Sequence, residues 1–246
     1  MQDITYYTSR LRALSNEKIA KKRQKEIRGI KGVRGVSNSD LIGVINEGDW
    51  PVLPQDEETV HRLYGTAHED GLLAIALLAV CALEQPNAAL QLVDRWLPFL
   101  DDTETADFLG HLVIGPAALA TDEPIALRLQ QAANPYAVRA ELMGVLAALP
   151  IPVIGVCVAG LRRKFAVEQV IFVEEPILER VQQAVQETMY SDSPLVRKAL
   201  RTVIRHWATW DPRGSEDFFV KEYPNWPNWM KESWRKGCKI GRKRMP

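Results

Sequence analysis

NPYAVRAEL, residues 134–142, opens with the chemistry of a helix start. Asn134 can cap the first turn, and Pro135 suits the first helical position, where a missing N–H costs nothing. Behind them Val138, Leu142, Val145, Leu146 and Leu149 fall at i, i+4, i+7, i+8 and i+11, one apolar stripe at the helical period. The spacing predicts a helix over 136–149. Arg139 stands beside that stripe with no acid three or four residues away on either side. An unpaired arginine next to a buried face needs either a partner from another helix or a reason to snorkel.

The same period recurs outward in both directions. It predicts helices over 3–14, 15–29, 38–47, 56–66, 70–84, 87–99, 103–120 and 123–133 on one side, and over 151–165, 175–190, 194–209 and 214–222 on the other. Short breaks with cap or turn chemistry separate them, such as Gln85-Pro86-Asn87, Asp101-Asp102-Thr103 and Ser191-Asp192-Ser193-Pro194. FAVEQVIFVE, residues 165–174, has the β-branched and aromatic content of a strand, but its helical neighbours favour a helix or an extended connection. Successive helical pairs start near residues 70, 103, 136 and 175, a loose period close to that of two-helix repeats. The expected fold is all-α: a right-handed α-solenoid of HEAT-like pairs over residues 1–222, then a Trp- and Lys/Arg-rich tail over 223–246. A plain compact bundle is the alternative, although so many helices of this length rarely share one core.

A chain of 246 residues with 46% hydrophobic content can build a sizeable core. Its longest apolar run, Gly71 to Leu83, is too short for a bilayer and reads as a buried helix. The N-terminus lacks the apolar stretch of a leader, so the protein is expected in the cytoplasm, and it is expected to be a monomer. Cys81, Cys157 and Cys238 are widely spaced, and the four histidines are scattered. No disulfide framework, metal-ligand spacing or phosphate-cradling loop results, so neither metal nor cofactor is expected.

Zero net charge hides segregation. Residues 1–40 carry ten Lys/Arg against four Asp/Glu, residues 194–246 thirteen against five, and the middle eight against twenty-two. Basic ends around an acidic middle suit a polyanion held at the ends, or else solvated faces and a free tail. In the tail, Trp226, Trp229 and Trp234 are interleaved with cations. They suit base stacking less well than pinning the tail to the last helical pair.

Asp107 is the other misfit. Ala106, Phe108, Leu109, Leu112 and Val113 crowd it, and a buried carboxylate needs a partner. His111 lies at i+4, while Arg139 lies 32 residues on, about one helical pair later. Equivalent helices of a stack are neighbours, so Asp107 and Arg139 are expected to meet.

At these residues the chain resembles the HEAT-repeat DNA alkylation repair family, the AlkD-like alkylpurine DNA glycosylases. GIKGVRGVSNSDLIGVI (residues 29–45) is similar to the family's short loop that leads into a helix. TETADFLGHLV (residues 103–113) resembles the segment with its catalytic aspartate, which places that role on Asp107. NPYAVRAEL resembles the segment with an arginine in the concave groove, which places DNA binding on Arg139. SPLVRKALRTVIRHWATWDP (residues 193–212) looks like the penultimate helix, whose basic residues face DNA. The resemblance implies a concave groove for double-stranded DNA lined by Arg139, Arg162, Lys198, Arg201 and Arg205. It implies hydrolysis of the N-glycosidic bond of N3- or N7-alkylated purines, with a carboxylate stabilising oxocarbenium charge. The chain departs from the family at two aromatic positions, where it has Thr103 and Thr202. Trp207 is five residues past Thr202, about 140° off the same helical face. Three readings stay open: a glycosylase, a non-catalytic binder of damaged or branched DNA, and a protein-interaction scaffold.

Overall fold

In a computed structural model of the chain, residues 3–27, 31–47, 50–147, 175–222 and 225–242 are described. The expected helix over 151–165, the ambiguous segment 165–174 and Arg162 lie outside them. Among the described residues every regular element is helical. They are α1 (Ile4–Ala13), α2 (Glu17–Glu26), α3 (Asn38–Glu47), α4 (Glu57–Thr66), α5 (His68–Glu84) and α6 (Pro86–Trp96). Then come α7 (Thr103–Leu109), a π turn (Gly110–Ile114), α8 (Gly115–Thr121), α9 (Ile125–Gln131) and α10 (Pro135–Ala147). The last are α11 (Glu175–Thr188), α12 (Pro194–Trp210), α13 (Pro212–Glu222) and α14 (Asn228–Gly241).

Side-chain caps set several of these boundaries. Asp102 accepts from the Thr105 N–H, and Asn134 from the N–H groups of Tyr136 and Ala137. Asn16 accepts from Lys18 and Ile19. Each cap satisfies donors that a first turn leaves unpaired.

The helices stack in two rows, as an all-α solenoid does. One row runs α5, the α7–π–α8 rod, α10, α12 and α14, each packed on the next. The second is built from α4, α6, α9, α11 and α13, which lie against the first. Among the described residues the buried apolar side chains form two cores. The N-terminal core includes Leu72, Ile75, Trp96, Leu109 and Leu112 and takes Ala137 and Ala140 from α10. The C-terminal core takes Leu142, Met143, Val145 and Leu146 from the same helix and adds Val203, Trp207 and Phe219. The helix of NPYAVRAEL therefore straddles the seam between the cores, and Arg139 lies at that seam.

Residues 103–120, expected as one helix, form a rod broken by the π turn. Pro116 has no N–H to donate within the rod, and the widened turn absorbs the misfit in register. The turn lies where the rod meets α10 most closely. A Cβ on Gly110 would stand 2.2 Å from the Ala140 carbonyl oxygen, so a larger residue there would force the helices apart.

Candidate functional site

α7 begins at the Asp102 cap, and its second turn presents Asp107 toward α10. Ala106, Phe108 and Leu109 beside it are buried, as the sequence pattern predicts. Across the seam Arg139 donates from Nε to Asp107 Oδ1 at 2.7 Å and from Nη2 to Oδ2 at 2.8 Å. This is a two-point, side-on pairing, the strongest geometry open to a guanidinium and a carboxylate. The pairing crosses from one repeat to the next, and it answers why Arg139 has no acid on its own helix.

The two partners differ in exposure. The Asp107 side chain is 33% exposed, whereas that of Arg139 is 9%. Arg139 thus acts from below, and the carboxylate presents an open edge. The third nitrogen, Nη1 of Arg139, is buried without a hydrogen-bond partner among the described residues. Burial raises the Asp107 carboxyl above its ordinary value, and Arg139 and the positive charge of Lys198 oppose the rise. Lys198, on α12, is therefore part of the same electrostatic site.

The remaining cations of α12 follow in order. Lys198 and Arg201 are exposed and Arg205 is half-buried. Arg201 lies over the Trp229 ring, 5.4 Å from its centroid. Arg201 and Arg205 both act on Glu232 of α14. The structure thus brings Asp107, Arg139 and Lys198 together and places Arg201 and Arg205 further along the same helix, toward α14. Thr103 is exposed one turn before Asp107, and the hydroxyl of Thr202 donates to the Lys198 carbonyl. Trp207 is fully buried against Phe218 and Phe219, away from the Thr202 position.

A second polar cluster adjoins the first, and the sequence reading missed it. His68 stands between Asp102, 3.6 Å from Nδ1, and Glu104, 3.1 Å from Nε2. Burial pushes the imidazole down, but the hydrogen bonds and charges of the two carboxylates outweigh it and hold the His68 pKa at about 9. The next residue, Glu69, is fully buried and accepts from the N–H groups of Arg34 and Gly35 and from the Arg23 guanidinium. Arg34 also pairs with Asp70 at 2.7 Å, and Lys31 donates to the Tyr64 carbonyl. Residues 31–36 are in this way tied to the start of α5 next to Asp102, five residues before Asp107. The available signal was His68-Glu69-Asp70 at the mouth of the longest apolar run, where three polar groups in a row needed partners.

Among the described residues no group of three His, Cys, Asp or Glu is placed to hold a metal ion. None of the described helices is long and apolar enough to cross a membrane.

A stack of helices that joins a one-third-exposed aspartate to an arginine of a neighbouring helix defines an all-α solenoid protein with a polar site between two packed helices. The family model for DNA alkylation repair enzymes matches residues 7–150, more than half of the chain, and the chain belongs to that family. The match spans α1 through α10 and therefore both members of the Asp107–Arg139 pair. No curated protein matches the chain.

Proposed function

We propose that the protein is a DNA glycosylase that hydrolyses the N-glycosidic bond of N3- or N7-alkylated purines in duplex DNA. The observation that carries this reading is the state of Asp107: desolvated, fixed at two points by Arg139, and open along one edge. Alkylation at N3 or N7 makes the purine cationic, so the base leaves with the bonding electrons and needs little protonation. Positive charge then develops on the deoxyribose. A fixed carboxylate at that point stabilises charge that exists only in the transition state, without having to reorganise. Water adds to the anomeric carbon and loses a proton, which completes the hydrolysis. Arg139 positions the carboxylate from its buried place beneath it. Lys198, Arg201 and Arg205 supply the phosphate contacts. Phosphate neutralisation of this kind makes binding fall steeply with salt.

A second reading, non-catalytic binding of damaged or branched DNA, draws on Thr103 and Thr202. Aromatic rings there would add cation–π stabilisation to a positive sugar, and hydroxyls cannot. Release of N7-methylguanine or N3-methyladenine from alkylated duplex separates the two. Release that disappears in Asp107→Asn establishes the glycosylase. Salt-sensitive duplex binding with no release in the native protein establishes the second reading.

A further inference from the structure

The last helices carry a second cationic site beyond residues 7–150. α14 is fixed against α12 by a stripe of small residues, Ser233, Gly237 and Gly241. A Cβ on Gly237 would stand 2.3 Å from the Arg205 carbonyl oxygen, and one on Gly241 would stand 2.5 Å from that of Thr209. The Thr209 hydroxyl donates to the Gly237 carbonyl across this contact. Trp226 stacks on Phe219 at 4.2 Å, and the Trp234 indole N–H donates to the Ser215 hydroxyl. α14 is therefore held in one position, and so is its outer face.

That face carries Arg235, Lys239 and Arg242 at i, i+4 and i+7, all exposed. Arg213, at the start of α13, is exposed beside them. None of the four makes an ion pair among the described residues, unlike Lys236, which pairs with Glu232 on its own helix. Two adjoining depressions run between these cations. One, of about 600 Å³, is lined by Trp210, Pro212, Arg213, Cys238 and Arg242, together with Asp211 and Glu216. The other, of about 360 Å³, shares Cys238 and Arg242 and adds Trp234, Arg235 and Lys239. Of the two carboxylates, Asp211 is occupied in accepting the Gly214 N–H at the start of α13. Across the two depressions four cations face the two carboxylates, Asp211 and Glu216, and the apolar lining is indole, proline and thiol.

Phosphates of a closed duplex need the cations only. A strand with exposed bases needs both, because bases stack on aromatic faces while phosphates take the cations. We infer that this groove binds an unpaired DNA strand, with phosphates on Arg213, Arg235, Lys239 and Arg242 and a base against Trp210. The inference rests on the DNA-repair reading for its choice of polymer, and not on any chemistry at Asp107.

The test is fluorescence anisotropy on the full chain with two labelled probes, an oligothymidylate of about ten nucleotides, within the usual span of such sites, and a blunt duplex. In the triple variant Arg235→Glu, Lys239→Glu, Arg242→Glu, oligothymidylate affinity is expected to fall at least about tenfold and its log–log salt slope to flatten by about 2, at roughly 0.7 per lost phosphate contact. Trp210→Ala is expected to weaken the same probe about fivefold or more through lost stacking. Arg139→Glu should leave oligothymidylate binding unchanged, and the triple variant should keep duplex binding. The triple Gln variant reads out the same loss if the Glu variant does not fold. Unchanged oligothymidylate affinity in the triple variant overturns the inference. So does an equal loss in Arg139→Glu, which would put the strand in the first groove, or an equal loss of duplex binding in the triple variant. If the native protein binds no duplex and releases no base while the oligothymidylate result holds, the function proposed for Asp107 falls and this site stands.

Discussion

α10 carries two ion pairs on nearly opposite faces, and they differ in what they leave free. Arg139 reaches across the seam to Asp107, whereas Glu141, two residues on, pairs with Arg128 of α9 at 2.9 Å. The Glu141 side chain is 0% exposed, and Arg128 is also held by Asp94 and Glu123. Burial pushes the Glu141 carboxyl up, and the charge and hydrogen bonds of Arg128 pull against it. Each nitrogen of the Arg128 fork donates to an acid. At the other pair the arginine is buried and the carboxylate is partly open. The same two functional groups thus give a closed strut on one face and an open edge on the other, and exposure of the acid separates them.

The largest effect is expected where the strut is broken. Glu141→Ala should lower stability by about 3–5 kcal/mol, because it removes the one fully buried carboxylate that holds Arg128 and leaves a cavity in its place. Urea unfolding measures this, and a loss below about 1 kcal/mol would erase the distinction between the pairs. Asp107→Asn should act the other way round. Release of alkylated purine should fall about 10²–10³-fold, the usual cost of losing one transition-state contact, while folding loses only about 1–2 kcal/mol as a charge-assisted bond becomes a neutral one. A large stability loss with release intact would make Asp107 a second strut.

The His68 cluster beside the open pair gives a pH test. With a folded pKa of about 9 against 6.5 for a free imidazole, the native state holds the extra proton between those values. Its stabilisation is complete below about pH 6.5 and is lost as pH rises through about 9, with an upper bound of about 3 kcal/mol at 1.36 kcal/mol per unit. Thermal unfolding from pH 6 to 10 should show this decline, and His68→Gln should flatten it. A decline that survives the substitution belongs to another group. The smallest change is expected from Lys198→Ala. It should weaken duplex binding severalfold and flatten the log–log salt slope by about 1, whatever the sequence of the duplex. An unchanged slope would remove α12 from the proposed DNA surface.

Much of the fold was legible because helical periodicity is a local property. Asn134 and Pro135 mark the start of α10, and the apolar stripe behind them gives its buried face. The bounds of α3, α4, α11 and α12 lie within a few residues of those read from the pattern. The meeting of Asp107 and Arg139 was legible too, because 32 residues approximate one repeat and a stack repeats its contacts. What was not legible arose from contact between distant segments. The π turn depends on Pro116 within the rod and on Gly110 meeting Ala140 of α10. The helix at 228–241 was read only as a tail, since its glycines look like breakers until α12 is placed 2.3 Å from a missing Cβ. The His68 network joins residues from three segments, and no window of sequence contains it.

The sequence by itself determined that the chain is all-α, where most helices start, and which two charged residues are out of place in apolar surroundings. Only the tertiary structure decided which member of each pair faces outward. A carboxylate's partner can be inferred from spacing, but its exposure depends on how closely two helices approach, and here that distance is set by Gly110 against Ala140. The Asp107 side chain is one-third exposed, whereas Glu141, on the helix of its partner Arg139, is sealed among Arg128 and its acids.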